Sequence, residues 1–584
     1  MIKAVFPQNL FAGKGRLFIL SIAVGVITAV AVVLLERLSH TCRALAVNLS
    51  QLGTWMQWVV PAFPAAAILL CVLFVRFILR REKYVKSLDS VIQSTTDGSG
   101  EVPFYHTFAH IFTSGITVGM GGSAGLEAPS ALTGSAIGAN IGKWLKLSRE
   151  NRVLLLACGG AAGIAAVFDS PLAGTLFACE ILLPAGSLPA LAPLLMSSVS
   201  AALTASCLYR GPQFAQTAVC WKLVNVPYYL LLGLATGLFS AYVIKTTLLV
   251  AAQASKLSSA WTKWLLGALL LYLFFLLFPA LTGEGYQYIV ALADGAADKI
   301  PAGLPLNFLR YPAMLPLLLT LLFLLKPLVS ALTLESGGDG GIFGPSLFCG
   351  AVLGYFLCKI LTLCGVSGLL PGVFVCAGMG GVLAGVMHAP LTGIFLIAEL
   401  TGGFQLLIPL MIVAGLSSFI SKNLTRYNIY KSMIAQKGGN PEPKQEELIL
   451  KSAKVKQIMQ TNIVTFRQEQ RLREILQVIL EDKQSIYPVL DKDGGLSGII
   501  NERNVRPFVL KKQIHDLVLA CDLMLPPEPI LHPEDTLRNA TLFFDRMNCS
   551  FLPVCEEGQL LGMLAREDIL SYYRTKLNEK ADLF

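Results

Sequence analysis

The nonapeptides GSAGLEAPS (122–130) and GDGGIFGPS (338–346) share one frame, 216 residues apart. Gly122, Gly125, Pro129, Ser130, Gly134 and Gly138 fall on Gly338, Gly341, Pro345, Ser346, Gly350 and Gly354. A second frame follows at 219 residues. FDSPLAGTLFACE (168–180) places Pro171, Leu172, Gly174 and Glu180 on Pro390, Leu391, Gly393 and Glu399 of MHAPLTGIFLIAE (387–399). A bias toward small residues would repeat glycines, but not both prolines and the closing glutamates in one register. The chain is therefore expected to hold two equivalent halves, roughly 17–210 and 225–435.

The surroundings of these motifs say where the halves reside. Of the 584 residues 54% are hydrophobic and 14% charged, against about 25% charged in a soluble domain. Apolar spans at 17–35, 58–75, 227–244, 264–280 and 313–334 are each close to the roughly 20 residues that cross a bilayer as helix. The stretches 111–142, 153–183 and 367–400 are rich in Gly, Ala, Ser and Pro. They read as short or broken helices packed inside protein. No small-residue cleavage site follows the first span, so it is not read as a cleaved signal.

Basic residues cluster at span ends: Arg76, Arg80, Arg81, Lys83 and Lys86; Lys143, Lys146, Arg149 and Arg152; Lys422, Arg426 and Lys431. Such clusters favour a cytoplasmic placement. No basic run interleaved with aromatics points to nucleic acid. Thirteen scattered cysteines without a C-x-x-C fit reduced, buried thiols. His106 and His110 could share a helix face, but no H-E-x-x-H pattern makes them a metal site. Duplicated halves with broken helices mark transport folds. Whether the halves are inverted or parallel stays open.

The turns themselves carry chemistry. Glycines permit close backbone approach, and proline suits the first helical turn, where its missing N–H is no loss. Each motif should thus open a helix whose free N–H groups bear partial positive charge. In a dry interior that is an anion site. Partial charges hold an anion loosely enough for it to leave, as conduction requires. Glu127 is itself an anion beside one such end and can occupy the site. Intramembrane acids are costly and usually functional, so Glu127 is the candidate gate, opened by protonation or by displacement. Glu180 and Glu399, symmetric at helical ends, read as structural, paired with basic or backbone groups.

The segment 436–448, QKGGNPEPKQEEL, reads as a linker within 436–450. From 451 to 584 the pattern is that of a soluble α/β unit with two similar arms, in which Met459, Pro488 and Gly498 correspond to Met524, Pro553 and Gly562.

These residues resemble the CLC family of chloride channels and chloride/proton antiporters over nearly the whole chain. The tail is similar to the paired cystathionine-β-synthase (CBS) domains of many members. The resemblance implies an all-α polytopic membrane domain over 1–435, with two repeated halves of broken helices, and a cytoplasmic CBS pair at 451–584. It gives Glu127, in GLEAP, the role of the external gate, with Leu126 and Ala128 standing where the family has a basic residue and a glycine. Gly125, Leu126 and Ala128, with Ile342, Phe343 and Gly344 of the intact GIFGP, would line the anion site, and Tyr430 would add its hydroxyl. The family's G-S-G-I-P loop should fall near 83–89, but KYVKSLDSV offers only Lys86 or Ser87, so nitrate or fluoride stays open beside chloride. Many antiporters carry a proton-relay acid where Ile181 stands; an apolar residue there resembles channel members. In the tail, Asp568 is the position that would hold an adenine-nucleotide ribose, with Asn504 in its place in the first arm and structural dimerisation as the other role. No other cofactor is expected.

The resulting expectation is a non-enzymatic, multi-pass protein of the plasma or inner membrane, a homodimer that passes chloride or another small anion through a Glu127-gated path. Passive conduction is the leading mode. Chloride/proton antiport is the alternative, and a membrane-anchored anion or nucleotide sensor the remote one.

Overall fold

The computed structural model describes residues 14–80, 84, 86–183, 191–209, 221–301, 306, 308, 309, 311, 313–402, 404–441, 450, 453–481, 484, 486–527, 529–547 and 549–581. Arg81 and Lys83 of the first basic cluster, and 442–449 of the linker, lie outside the described residues. The chain forms two compact units, Met1–Glu442 and Pro443–Phe584.

The first unit is helical and membrane-spanning. Among the described residues, nine helices are long and apolar enough to cross a membrane. They include the five expected spans, now Gly15–Ser50, Met56–Ile78, Leu223–Ser255, Ala260–Leu277 and Leu315–Glu335. They also include spans not singled out by their apolar runs, such as Leu191–Leu208, Phe343–Leu363 and Phe404–Gln436. Serines, glycines and threonines interrupt the apolar runs of these helices.

The duplicated glycines explain the packing at its centre. A Cβ at Gly134 would strike the Gly159 carbonyl, and one at Gly138 the Leu155 carbonyl. In the second half Gly350 meets Gly378, and Gly354 meets Phe374, in the same way. The helices Glu127–Trp144 and Arg149–Phe168 therefore touch backbone to backbone, as do Phe343–Leu363 and Pro371–Met387. Both Arg149–Phe168 and Pro371–Met387 end on a residue in the left-handed region, Asp169 at φ 51° and His388 at φ 53°, again 219 apart.

The sense of the duplication, open from sequence, is settled by the two closing glutamates. Glu180 accepts from the Leu391 N–H at 3.1 Å and the Thr392 N–H at 2.7 Å, at the start of the helix Pro390–Leu400. Glu399, near the end of that helix, accepts from the Leu172 N–H at 3.1 Å and the Ala173 N–H at 2.9 Å. Each equivalent helix caps the start of the other, which requires them to run antiparallel about a pseudo-two-fold axis. The halves are inverted repeats. Pro171 and Pro390 have no N–H to offer, so the donors are those of the next two residues.

The second unit is α/β. Strand β1 (Phe466–Arg467) pairs parallel with β2 (Ile486–Leu490), and β2 antiparallel with β3 (Leu496–Asn501). In the second arm β4 (Phe551–Glu556) pairs antiparallel with β5 (Gln559–Ala565), and a parallel bridge Leu531–Val554 takes the place of β1–β2. The arms also exchange bridges, Gln460 with Met563 and Ile499 with Leu525. Gly498 lies against Met524 and Gly562 against Met459, so the matched glycines and methionines meet across the arms.

Candidate functional site

Each motif begins with the same local device. The Gly122 N–H donates to the Thr117 carbonyl at 2.8 Å, and the Gly338 N–H to the Thr333 carbonyl at 3.1 Å. Gly121 and Gly337, at φ 94° and 117°, turn the chain out of the preceding helix, a conformation that favours glycine. The loops then pair with each other. The Gly125 N–H donates to the Gly341 carbonyl at 2.8 Å, and the Gly341 N–H to the Gly125 carbonyl at 2.8 Å. The pseudo-two-fold axis passes between them. The helices Glu127–Trp144 and Phe343–Leu363 therefore begin beside one another, their N-termini converging from opposite halves. Ser130 and Ser346 each donate to the carbonyl four residues back, Leu126 and Ile342, at 2.8 Å.

Glu127 has no exposed surface. Its Oε2 accepts from the Gly344 N–H of the other half at 3.3 Å, and the Tyr286 hydroxyl donates to Oε1. A Cβ at Gly125 would collide with this carboxylate, so glycine is needed there for a reason beyond its turn.

Leu126, Ala128, Ile342 and Phe343 are all buried at this junction. Phe343 turns into an aromatic contact, its ring centroid 5.7 Å from Phe168 and 6.3 Å from Phe177. Tyr430 is 3% exposed and its hydroxyl has no hydrogen-bond partner among the described residues. A cavity of about 1110 Å³ reaches this junction, lined by Ala128, Gly341, Ile342 and Tyr430. Farther out its charged lining is Arg76, Arg80, Lys86, Lys263 and Lys437 against Glu335. Lys86 and Ser87, the residues near the missing G-S-G-I-P motif, both line it. Lys86 donates to the Leu334 carbonyl at 3.3 Å, and the Ser87 hydroxyl lies 3.7 Å from Met433 Sδ.

Ile181 is 4% exposed, in a π-helical turn that continues from Pro171–Phe177. Asp568 lies elsewhere, in the second unit at the start of the helix Arg566–Ala581. Its Oδ2 accepts from Gln460 Nε2 at 2.9 Å and from the Ala565 N–H at 3.3 Å.

Several residues at the junction went unnoticed in the sequence. Tyr286 touches the Glu127 carboxylate. Glu284, two residues earlier, accepts from the Leu126 N–H at 3.2 Å. Lys326, fully buried, donates to the carbonyls of Leu281 at 3.0 Å and Gly283 at 2.6 Å. Asp339, inside the second motif, lies 2.7 Å from His110 Nδ1 and accepts from the Thr113 hydroxyl. His106 and His110 lie not on one helix face but on two successive helices, Phe104–Thr107 and Ala109–Gly119; they hydrogen-bond to one another at 2.8 Å and run on to Asp339. Among the described residues no cluster of three or more metal-ligating side chains forms.

The arrangement resembles known proteins over most of its length. The family described as "Voltage gated chloride channel" matches residues 67–422, and the CBS domain matches 455–511 and 520–575. The "Voltage-gated ClC-type chloride channel ClcB" of Escherichia coli O157:H7 (strain EC4115 / EHEC) is 28% identical over 442 residues, 72% of this chain and 99% of that protein. A slow cyanobacterial Cl⁻/H⁺ antiporter of known crystal structure has a TM-score of 0.61 at 23% identity, covering 73% of this chain and 99% of the antiporter. A CLC-type fluoride/proton antiporter gives 0.59 at 23%, covering 71% and 96%. The chain thus belongs to the voltage-gated chloride channel (CLC) family, with a pair of CBS domains after its membrane unit.

Proposed function

We propose that the membrane unit is a chloride pathway gated by Glu127. One observation carries this reading. Two helix N-termini from inverted halves are pinned loop to loop, and a buried carboxylate sits on an N–H of the second. Those N–H groups are what an anion would use. The carboxylate occupies its seat, and neutralising or displacing the carboxylate frees it. The unpartnered Tyr430 hydroxyl faces the same need for an acceptor, and a mostly basic cavity leads to it. Basic walls concentrate anions at the entrance. Glu127→Gln in liposomes should raise chloride flux at neutral pH or remove the part of its pH dependence that Glu127 contributes. Unchanged, pH-dependent flux rejects the gate.

The transport mode is passive on this reading, because Ile181 puts buried hydrocarbon at the position of the family's proton-relay acid. Stoichiometric chloride/proton exchange is the second reading, favoured by structural relatives that are antiporters. A chloride gradient that drives protons uphill through the reconstituted protein would decide for exchange. The fluoride/proton relative makes fluoride the first competing anion to assay. We further propose a homodimer in the plasma or inner membrane with the CBS pair in the cytoplasm. Cross-linking in native membranes tests the first point and protease access to the tail the second. With Asp568 already held by Gln460 and Ala565, the CBS pair serves dimerisation rather than nucleotide binding, and ATP should leave its unfolding midpoint unchanged.

A further inference from the structure

We propose that Glu284 is a second gating carboxyl, set on the first helix end as Glu127 is set on the second. The inference rests on the reading of Glu127 as the gate and extends it. Of the N–H groups at the two converging N-termini, one on each side is held by an acid. Gly344 N–H donates to Glu127, and Leu126 N–H donates to Glu284 at 3.2 Å. An anion bound between the helix ends therefore competes with two carboxylates.

Glu284 is held there by the fold. The buried Lys326 ammonium grips the carbonyls of Leu281 and Gly283 just before it and lies 5.0 Å from the Phe348 ring centroid. Gly285, just after it, turns at φ 88° against the same ring. The two acids differ in access. Glu127 has no exposed surface, whereas Glu284 is half-buried. Neither Glu284 nor Tyr286 lines the cavity that reaches Tyr430, so the second carboxyl reaches Leu126 from elsewhere.

The charges facing Glu284 are Glu127, Glu36 and Arg43 of the helix Lys14–Ser50, and Lys326 behind it. The phenol of Tyr286 is the other titratable neighbour. Each carboxylate sits on an N–H of adjoining helix ends, so negative charge on one disfavours negative charge on the other. Protonating Glu284 weakens its hold on the Leu126 N–H and lowers the field at Glu127. Opening then depends on up to two protons.

The test is chloride flux from proteoliposomes across acid to neutral pH, for wild type, Glu284→Gln, Glu127→Gln and the double variant. Wild type should show a cooperative pH dependence. Each single variant should show a shallower one-proton profile, and the double variant none. Chloride titration calorimetry in detergent gives a readout independent of transport. Glu284→Gln should bind chloride about tenfold more tightly at neutral pH, because a neutral amide competes less for the N–H. A Glu284→Gln profile and affinity that both superimpose on wild type, with Glu127→Gln altered, overturn the second gate and leave the first standing. A folded Glu284→Gln protein that loses flux at every pH and binds chloride as wild type does also overturns it. If Glu127→Gln is itself without effect, the underlying gate reading fails, whatever Glu284→Gln does.

Discussion

The two halves of the membrane unit share a backbone and differ in their charges. Where the first motif has Glu127 the second has Phe343, and where the second has Asp339 the first has Ser123. Glycines, prolines and the first-turn serines that donate to the carbonyl four residues back repeat because both loops must make the same turn and meet across one axis. The acids do not repeat, and each reaches into the opposite half. Glu127 takes the Gly344 N–H, and Asp339 takes His110 and Thr113. Duplication supplied a symmetric frame, and the asymmetry that can gate a path is confined to a few side chains.

The largest effect is expected from making the second half resemble the first. Asp339→Ser removes the common acceptor of His110, Thr113 and Tyr84 in a buried network. It should destabilise the purified protein by about 3 kcal/mol, read as a lowered thermal midpoint in detergent. An unchanged midpoint would mean that the network is not a structural requirement. Next come the reciprocal glutamates. Glu180→Gln and Glu399→Gln each weaken charge-assisted bonds to a helix start, worth about 1.5–3 kcal/mol. Glu180 also accepts from the Thr392 hydroxyl at 2.7 Å, so Glu180→Gln should lose at least as much as Glu399→Gln in parallel melts, and no loss from either variant breaks the pseudo-two-fold clasp. Glu127→Phe copies the second half onto the first and should abolish the pH dependence contributed by Glu127, measured as chloride flux at several pH values.

The smallest effect lies in the CBS unit, where Lys454 and Lys456 hold Glu534 down to about 2 through hydrogen bonds and charge. Because the folded value is depressed, this contribution is present above the ordinary value of 4.5 and is lost as pH falls toward 2. Hydrogen exchange around 453–457 and 531–536 should distinguish wild type from Glu534→Gln above that window and converge within it.

Much of the frame was legible in the sequence because it is written in repeated residue types. Two frames, at 216 and 219, located the helix starts, the close-packed glycines and the paired glutamates. They could not say that Glu180 and Glu399 cap each other's helices, because inverted and parallel repeats leave the same sequence trace. Glu284 and Tyr286 were illegible for another reason. Each acts on a residue of the first motif, 158 and 159 residues earlier, and neither belongs to a periodic pattern. The spacing of His106 and His110 was readable as one helix face, but they fall on two successive helices and their acid partner sits in the other half. The uninterrupted apolar runs marked the five expected spans; helices such as Phe343–Leu363 carry small and polar residues that hide them.

The mutual bonds of Gly125 and Gly341 lie on the pseudo-two-fold line, and the exchanged bonds of Glu180 and Glu399 straddle it. Rocking or twisting of one half against the other has to break these bonds first, whereas the close-packed glycines, each pair inside one half, would move with it.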